Sequence, residues 1–316
     1  MDTLFLDLRY ALRSLKRSPG FAALAILTLG LGIGAATAGF SLLNRLLLEP
    51  LPGVRESDRL AFVTFMQPVT ASFAPPGSFT PASPRPDQRA QVVRASPAVV
   101  DLAGWQGPQS MNVGAPGDLA ARTQGAFVSG NYLQLLGVDA QRGRVLLPAD
   151  DPEPVGIRVA VISDHLWSEL YGRRAEILGS TIVINALPFT LVGVTAPGFR
   201  GPDRLWPTDI WVPGNTYWDL QHFPIHGHPP LEIGYYRNVT RLRPGASFEL
   251  ARAQLEGAVR VLAVTDTEHF TPKVMATLVP GVGMERGGEA VRHQLWLILA
   301  VAGLVLFVAC ANIANL

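Results

Sequence analysis

The chain has 316 residues, 26 Lys plus Arg against 25 Asp plus Glu, and a formal net charge of +1. That near-neutral balance, with no basic run in its middle, argues against nucleic acid as a partner. Charged residues make up only 16% of the chain, against roughly 25% in soluble domains, and the apolar excess is gathered near the two ends. A single cysteine, Cys310, excludes a disulfide within the chain and reads as a small packing residue.

Leu4, Leu8, Ala11, Leu12 and Leu15 fall on one face of a helix, with Arg9, Arg13, Lys16 and Arg17 on the other. This predicts an amphipathic helix over residues 1–18 that lies in a membrane interface. Ser18-Pro19-Gly20 breaks it. From Ser18 to Asn44 no residue is charged, and a bilayer core needs about 20 apolar residues in helical form. Residues 19–48 are therefore expected to span a membrane. Ala36-Thr37-Ala38 offers the competing reading of a signal-peptide cleavage site, but apolar character continues past it to Leu48. Gly30 with Gly34, and Ala35 with Gly39, are spaced four apart and form a smooth ridge for another helix. The positive excess before the span predicts a cytoplasmic N-terminus, with residues 49–292 outside.

Within that middle region, Leu60–Phe65 reads as a strand and residues 67–90, rich in Pro and Ser, as a long exposed loop. Ala126–Val128 reads as a strand, followed by a short helix over Asn131–Leu136 capped by Ser129 and closed by Gly137. Arg158–Ile162 is an apolar strand. Ser163 or Asp164 caps a helix over His165–Tyr171, which ends at Gly172. Ser180–Asn185 and Phe189–Val194 read as a hairpin whose loop is not a standard two-residue turn. Further strands are expected at Asp209–Val212, Tyr235–Leu242 and Thr277–Val279. A helix capped by Ser247 places Leu250, Leu255, Val259 and Leu262 on one side. Helices and short strands without regular βαβ alternation indicate an α+β domain. A second apolar run, residues 293–316, opens at Trp296 and is expected to return the chain through the membrane. Asn312 and Asn315 are its strongly polar side chains and are expected to face other helices. Ending at Leu316 without a polar tail, the run looks truncated.

Residues for bond chemistry are sparse. The sequence has no Gly-x-x-x-x-Gly-Lys-Ser/Thr, Gly-x-Ser-x-Gly, His-Glu-x-x-His or Cys-x-x-Cys. No catalytic, cofactor-binding or metal-binding residue is assigned. His222, His226 and His228 lie in a Pro/Gly stretch that fixes no ligand geometry. Asp150, Asp151 and Glu153 lack the alternation of a calcium loop and read as a solvated turn. Asn238-Val-Thr240 matches a glycosylation sequon inside an expected strand.

Several stretches taken together resemble a known family. They are Asp7–Leu15 with Ser18–Phe21, Leu29–Ala35, Val128–Tyr132 with Leu136–Val138, Val159–Ser163, Val192–Phe199, Arg241–Ser247 and Ala309–Leu316. The chain resembles the permease subunits of ABC transporters of the macrolide-exporter, MacB/FtsX-like type, with the duplicated permeases of soil bacteria among the relatives. The resemblance implies a periplasmic core domain of two α+β lobes, one inserted within the other, between two transmembrane helices. It also implies an inner-membrane, multi-pass location, a lipid bilayer around the spans, and a partner ABC ATPase subunit. A homodimer, or a pseudo-dimer with a further permease repeat, follows from the same likeness. Family members have four or eight spans, so two spans here imply a fragment. The implied role is mechanical: ATP hydrolysis by the partner moves the outer domain for export or efflux, and this chain is not itself an enzyme. A membrane-anchored, FtsX-like regulator of a periplasmic enzyme is the alternative, and an anchored domain unrelated to transport is a third.

Overall fold

The computed structural model describes residues 19–44, 49, 51–69, 75, 77–82, 84–117, 119–153, 155–204, 206–220, 237–267, 270–280 and 288–314. The expected amphipathic helix over 1–18, with Arg9, Arg13, Lys16 and Arg17, lies outside the described residues. So do the stretch holding His222, His226 and His228, and Asn315. The chain divides into two compact units: Met1–Glu49 with Arg286–Leu316, and Pro50–Glu285.

Helix α1 (Pro19–Leu43) is the first element among the described residues and is uncharged throughout. In the second unit, β1 (Leu60–Pro68) and β2 (Phe79–Ala82) are followed by α2 (Pro86–Arg94). The expected exposed loop over 67–90 is corrected here: β2 pairs with the end of β1, Pro68 opposite Phe79. Pro86 stands in the first turn of α2, where a missing N–H costs nothing. Next comes β3 (Val99–Gly114), a 16-residue strand, paired with β4 (Ala121–Val128).

Helix α3 (Tyr132–Leu135) is shorter than expected and uncapped by side chains. Ser129 does not cap it. Its hydroxyl accepts from Gly104 N (2.8 Å) and donates to Asn131 Oδ1 (2.6 Å), so it fastens β3 instead. The edge strand β5 (Ala140–Gly143) precedes β6 (Val159–Ile162) and α4 (Asp164–Tyr171). Ser163 caps α4, accepting from Leu166 N at 2.9 Å, and Gly172 closes it with φ 56°. Strands β7 (Thr181–Ile184) and β8 (Leu187–Thr195) form the expected hairpin. Its loop is, contrary to expectation, two residues long: Asn185 (φ 45°) and Ala186 (φ 68°) both turn left-handed, the requirement of a type I′ turn. Asn185 tolerates that conformation, and its Oδ1 accepts from Asn112 N at 2.9 Å.

Strand β9 (Ile210–Pro213), helix α5 (Tyr217–Leu220), strand β10 (Arg237–Leu242), helix α6 (Phe248–Thr265) and strand β11 (Met275–Pro280) complete the unit. Ser247 caps α6, accepting from Leu250 N. The last helix, α7 (Gly288–Ala314), belongs to the first unit.

The eleven strands among the described residues form one sheet in the order β11-β1-β10-β3-β4-β9-β6-β8-β5, with β2 on β1 and β7 on β3 and β8. Antiparallel pairs dominate, while β4–β9 and β6–β8 are parallel. This is the expected α+β arrangement. Residues 51–103 and 237–280 build one end of the sheet, and the chain between them builds the other; β3 serves both ends. Both ends belong to one compact unit, Pro50–Glu285.

Strand β1 explains its own unbroken apolar run. Ala61, Val63 and Phe65 point into a core shared with Leu255, Val259 and Leu262 of α6 and Val92 of α2. Leu60 and Phe62 point the other way, into a core with Trp105, Val128, Tyr132 and Trp211. A strand buried on both faces needs apolar residues at every position. A third core joins Leu166 and Trp167 of α4 to Phe189 and Leu191 of β8. Leu250, expected on the buried side of α6, is 49% exposed, and Ala251 is buried instead.

Among the described residues no helix is long and apolar enough to cross a membrane. In α1 the side chains at 21, 22, 24, 25 and 43 lie outside the description, so its unbroken described stretch is 26–42. Helices α1 and α7 overlap the expected spans 19–48 and 293–316.

Candidate functional site

Gly39 is one of the small residues expected to form a packing ridge. It is buried, and a Cβ added there would stand 3.3 Å from Leu299 Cδ2 of α7. Gly30 and Gly34 are exposed and a Cβ on either would meet nothing within 4 Å; Ala35 is exposed too. Gly32 is buried as Gly39 is. The side chain of Asn312 lies outside the described residues. Cys310 is exposed on α7 and not packed.

The strongest polar constellation surrounds the point where the chain enters the second unit. Arg241 comes from β10, where it faces away from water. Its Nε donates to Leu135 O (3.0 Å), its Nη1 to Glu56 O (3.1 Å) and its Nη2 to Arg55 O (2.7 Å). One guanidinium thus holds the entry segment and the end of α3 together. Burial lowers its pKa from the ordinary value, opposed by the Glu56 carboxylate. Arg59 reaches back the other way, donating twice to Leu242 O at 2.9 and 2.7 Å and once to Glu56 Oε2. Arg55 bridges to Asp139. Gly137, left-handed at φ 68°, is pressed by this clasp: a Cβ there would sit 2.8 Å from Arg55 Cβ. The Gly read as a helix terminator is therefore also a close-approach glycine.

The chain leaves the unit beside the place where it enters. Strand β11 runs antiparallel to β1, with Pro280 opposite Ala61 and Met275 opposite Met66. Entry and exit strands are thus neighbours, and their outer ends coincide.

A second network lies behind the entry segment. Asp209, buried, accepts from Arg200 through both oxygens (3.0 and 2.6 Å) and from Ser163 Oγ (2.6 Å). His165 Nδ1 stands 3.5 Å from the same carboxylate. In a nucleophilic relay the imidazole stands between hydroxyl and carboxylate. Here hydroxyl and imidazole address one carboxylate oxygen, so Asp209 acts as an anchor for both. Arg200 follows Phe199, which stacks on Trp211 with centroids 5.1 Å apart. Phe199 lies against Gly53, and Gly198 against Pro52.

The acidic turn differs from its expectation. Asp150 is buried and accepts two bonds from Arg144 (2.5 and 2.8 Å) and one from Leu147 N. Burial pushes its carboxyl up, but the Arg144 and Leu147 hydrogen bonds outweigh that, and its pKa is lowered. Asp151 accepts from Asn215 N. Asn238 is fully buried in β10 between Val63 and Gly104, so the sequon is out of reach in the folded domain. Among the described residues no three His, Cys, Asp or Glu side chains gather as a metal site would. A polar notch of about 300 Å³ lies between α2 and α6, beside Gln88 and Asp266. Sequence reasoning passed over Arg59, Arg200, Asp209 and Arg241. The available signal was a charge set inside an apolar strand, as in Val239-Thr-Arg241-Leu242.

The profile of one family, described as the MacB-like periplasmic core domain, matches residues 22–258, well over half of the chain. No curated protein sequence matches at a significant level. Among solved structures, the periplasmic region of MacB from Actinobacillus actinomycetemcomitans is similar at 14% identity, over 73% of this chain and 92% of that one, with a TM-score of 0.48. The extracellular domain of the noncanonic ABC-type transporter YknZ from Gram-positive bacteria is similar at 16% identity, over 69% and 99%, with a TM-score of 0.47.

Proposed function

The chain belongs to the MacB-like periplasmic core domain family, and from that premise we propose that it is the permease component of an ABC transporter. The family match carries the reading, since it extends from inside the apolar α1 into α6. In this reading α1 and α7 cross the inner membrane and Pro50–Glu285 stands in the periplasm. A partner ABC ATPase hydrolyses ATP and moves the helices. The domain follows, driving export or efflux, and the chain performs no bond chemistry of its own. The paired entry and exit strands support this. Two helices that move apart or together act on one end of one strand pair, and the Arg241 clasp makes the entry segment part of the sheet. Dimerisation, or pairing with a further permease repeat, completes the assembly.

The test uses a single reporter cysteine at the exposed Leu119 (L119C) in a Cys310→Ser background. In whole cells a membrane-impermeant maleimide is expected to label it once the outer membrane is opened. Co-purified ABC ATPase is expected to change that labelling when ATP is added. Labelling only after lysis of the inner membrane would remove the reading.

A further inference from the structure

The two end strands of the sheet differ in charge. Strand β11 is uncharged from Met275 to Pro280, whereas β5, at the other end of the order, carries Arg142. Among the described residues β5 pairs with β8 alone, and Gln141, Arg142 and Gly143 are exposed. Its outer row of N–H and C=O groups is a template for one more strand. A charge that only guards such an edge needs no more than water around it. Arg142 is instead held in place.

Its guanidinium lies over the ring of Trp167, 5.1 Å from the centroid, and that of Arg173 lies over the same ring at 5.3 Å. Trp167 is buried in the core under α4, and its Nε1 donates to Arg174 O at 3.1 Å. One indole thus gathers three arginines. The carboxylate of this corner, Asp164, is already taken: it accepts from Gln141 Nε2 and Arg173 Nη2, both at 2.6 Å. Among the described residues neither Arg142 nor Arg174 meets a carboxylate. A guanidinium stacked on a ring keeps its N–H donors for a ligand and gives up little freedom when one arrives.

We infer that β5 receives an extended, acidic segment of a partner protein as an added strand. The open edge calls for a backbone in extended form. Arg142, on that same edge, calls for a carboxylate on the residue opposite it, since side chains of adjoining strands stand about 5 Å apart. Arg173 and Arg174 add to the positive field beside it, which favours an acidic segment and rejects a basic one. A simple anion would meet the arginines and leave the edge unused, and an uncharged strand would do the reverse. The inference concerns this edge alone and does not depend on whether α1 and α7 cross a bilayer.

The experiment follows hydrogen exchange of the full chain in detergent with four probes added separately. They are a peptide of alternating Glu and Thr, its fully N-methylated form, a peptide of alternating Lys and Thr, and pyrophosphate. N-methylation keeps the charge and removes every backbone donor that a strand needs. The Glu–Thr peptide is expected to slow exchange at 140–143 about tenfold, and the other three to leave it unmoved. In Arg142→Glu the preference should invert, with the Lys–Thr peptide protecting and the Glu–Thr peptide not. Arg174→Glu, outside the strand, should weaken binding of the Glu–Thr peptide about threefold, and it carries the test if Arg142→Glu does not fold. Equal protection by the Lys–Thr peptide overturns the acidic partner. Equal protection by the N-methylated peptide or by pyrophosphate overturns the added strand. Protection at 275–280 in place of 140–143, or none at all, overturns the inference whole.

Discussion

The chain enters and leaves the second unit side by side, but the two attachments are built differently. The entry segment, Leu51 to Arg59, is fastened by the guanidinium of Arg241, which donates to its carbonyls 55 and 56, and by its own Arg59, which donates to the carbonyl of residue 242; both partners are far away in sequence. The exit strand β11 is an edge strand with one ladder partner, β1, and apolar packing under α6. Charge-assisted bonds to buried carbonyls fix geometry within tenths of an ångström, whereas an edge strand on an apolar face can slide or peel. The difference teaches how one domain can hold its two chain connections unequally. The entry side is fixed to the body of the sheet by charged side chains, and the exit side is held by one ladder and apolar packing.

The largest effect expected from breaking this contrast is that of Arg241→Leu. It takes the guanidinium away from the carbonyls of Arg55 and Leu135, leaves Glu56 with its bonds from Arg59 alone, and should cost about 3 kcal/mol in chemical unfolding. Hydrogen exchange should then lose the protection of amides at 51–60 far more than at 275–280. Arg241→Lys should recover only part of the loss, because one ammonium cannot reach three diverging acceptors. Equal deprotection of both segments would show that the clasp supports the whole domain evenly and would dissolve the contrast.

Much of the exit side was legible in the sequence and most of the entry side was not. Ser247 as cap and Leu255, Val259 and Leu262 as a buried stripe are local signals at helical spacing, and α6 follows them. Ser163 and Gly172 delimit α4 for the same reason. Strand β3 escaped notice because Gly104, Gly107, Pro108 and several polar residues interrupt its alternation. What makes it a strand is pairing to β10 and β4, which are distant in sequence. The clasp escaped for a related reason. Nothing near Arg241 in sequence announces that its partners lie at 55, 56 and 135. Asp150 was read as solvated because a turn of acidic residues usually is, and only the fold brings Arg144 against it with both oxygens engaged.

A smaller effect comes from pH, and it probes a charged fastening outside the clasp, between Arg144 and Asp150. The Asp150 carboxyl is lowered in the folded state from an ordinary value of 3.8. Its contribution is therefore present above the unfolded pKa and is lost as pH falls through the folded one. Asp150→Asn should remove that share of the acid-side loss, read from urea midpoints below about pH 4. Tyr171 works at the other limit: burial raises its hydroxyl from 10.0 to about 12. Its contribution is intact below the unfolded value and disappears as pH rises through the folded one. Tyr171→Phe should flatten stability over that alkaline window.

The smallest effect tests whether the exit side can be stiffened without a new fastening. Val264 lies near the end of α6 and is 73% exposed, two residues beyond the buried Leu262. Val is a poorer helix former than Lys because its branched Cβ restricts χ1 against the preceding turn. Val264→Lys removes that restriction, adds a cation near a helix C-terminus where the dipole favours it, and gives up almost no burial. The expected gain is about 0.3 kcal/mol, seen as a slight rise in the urea midpoint with an unchanged slope. Exchange at 275–280 should slow by the corresponding small factor while 51–60 is unmoved, because α6 packs on β11 and the clasp does not involve it. A loss of stability instead would mean that Val264 is covered in the assembled protein, and the exit side would then have a fastening that the isolated chain lacks.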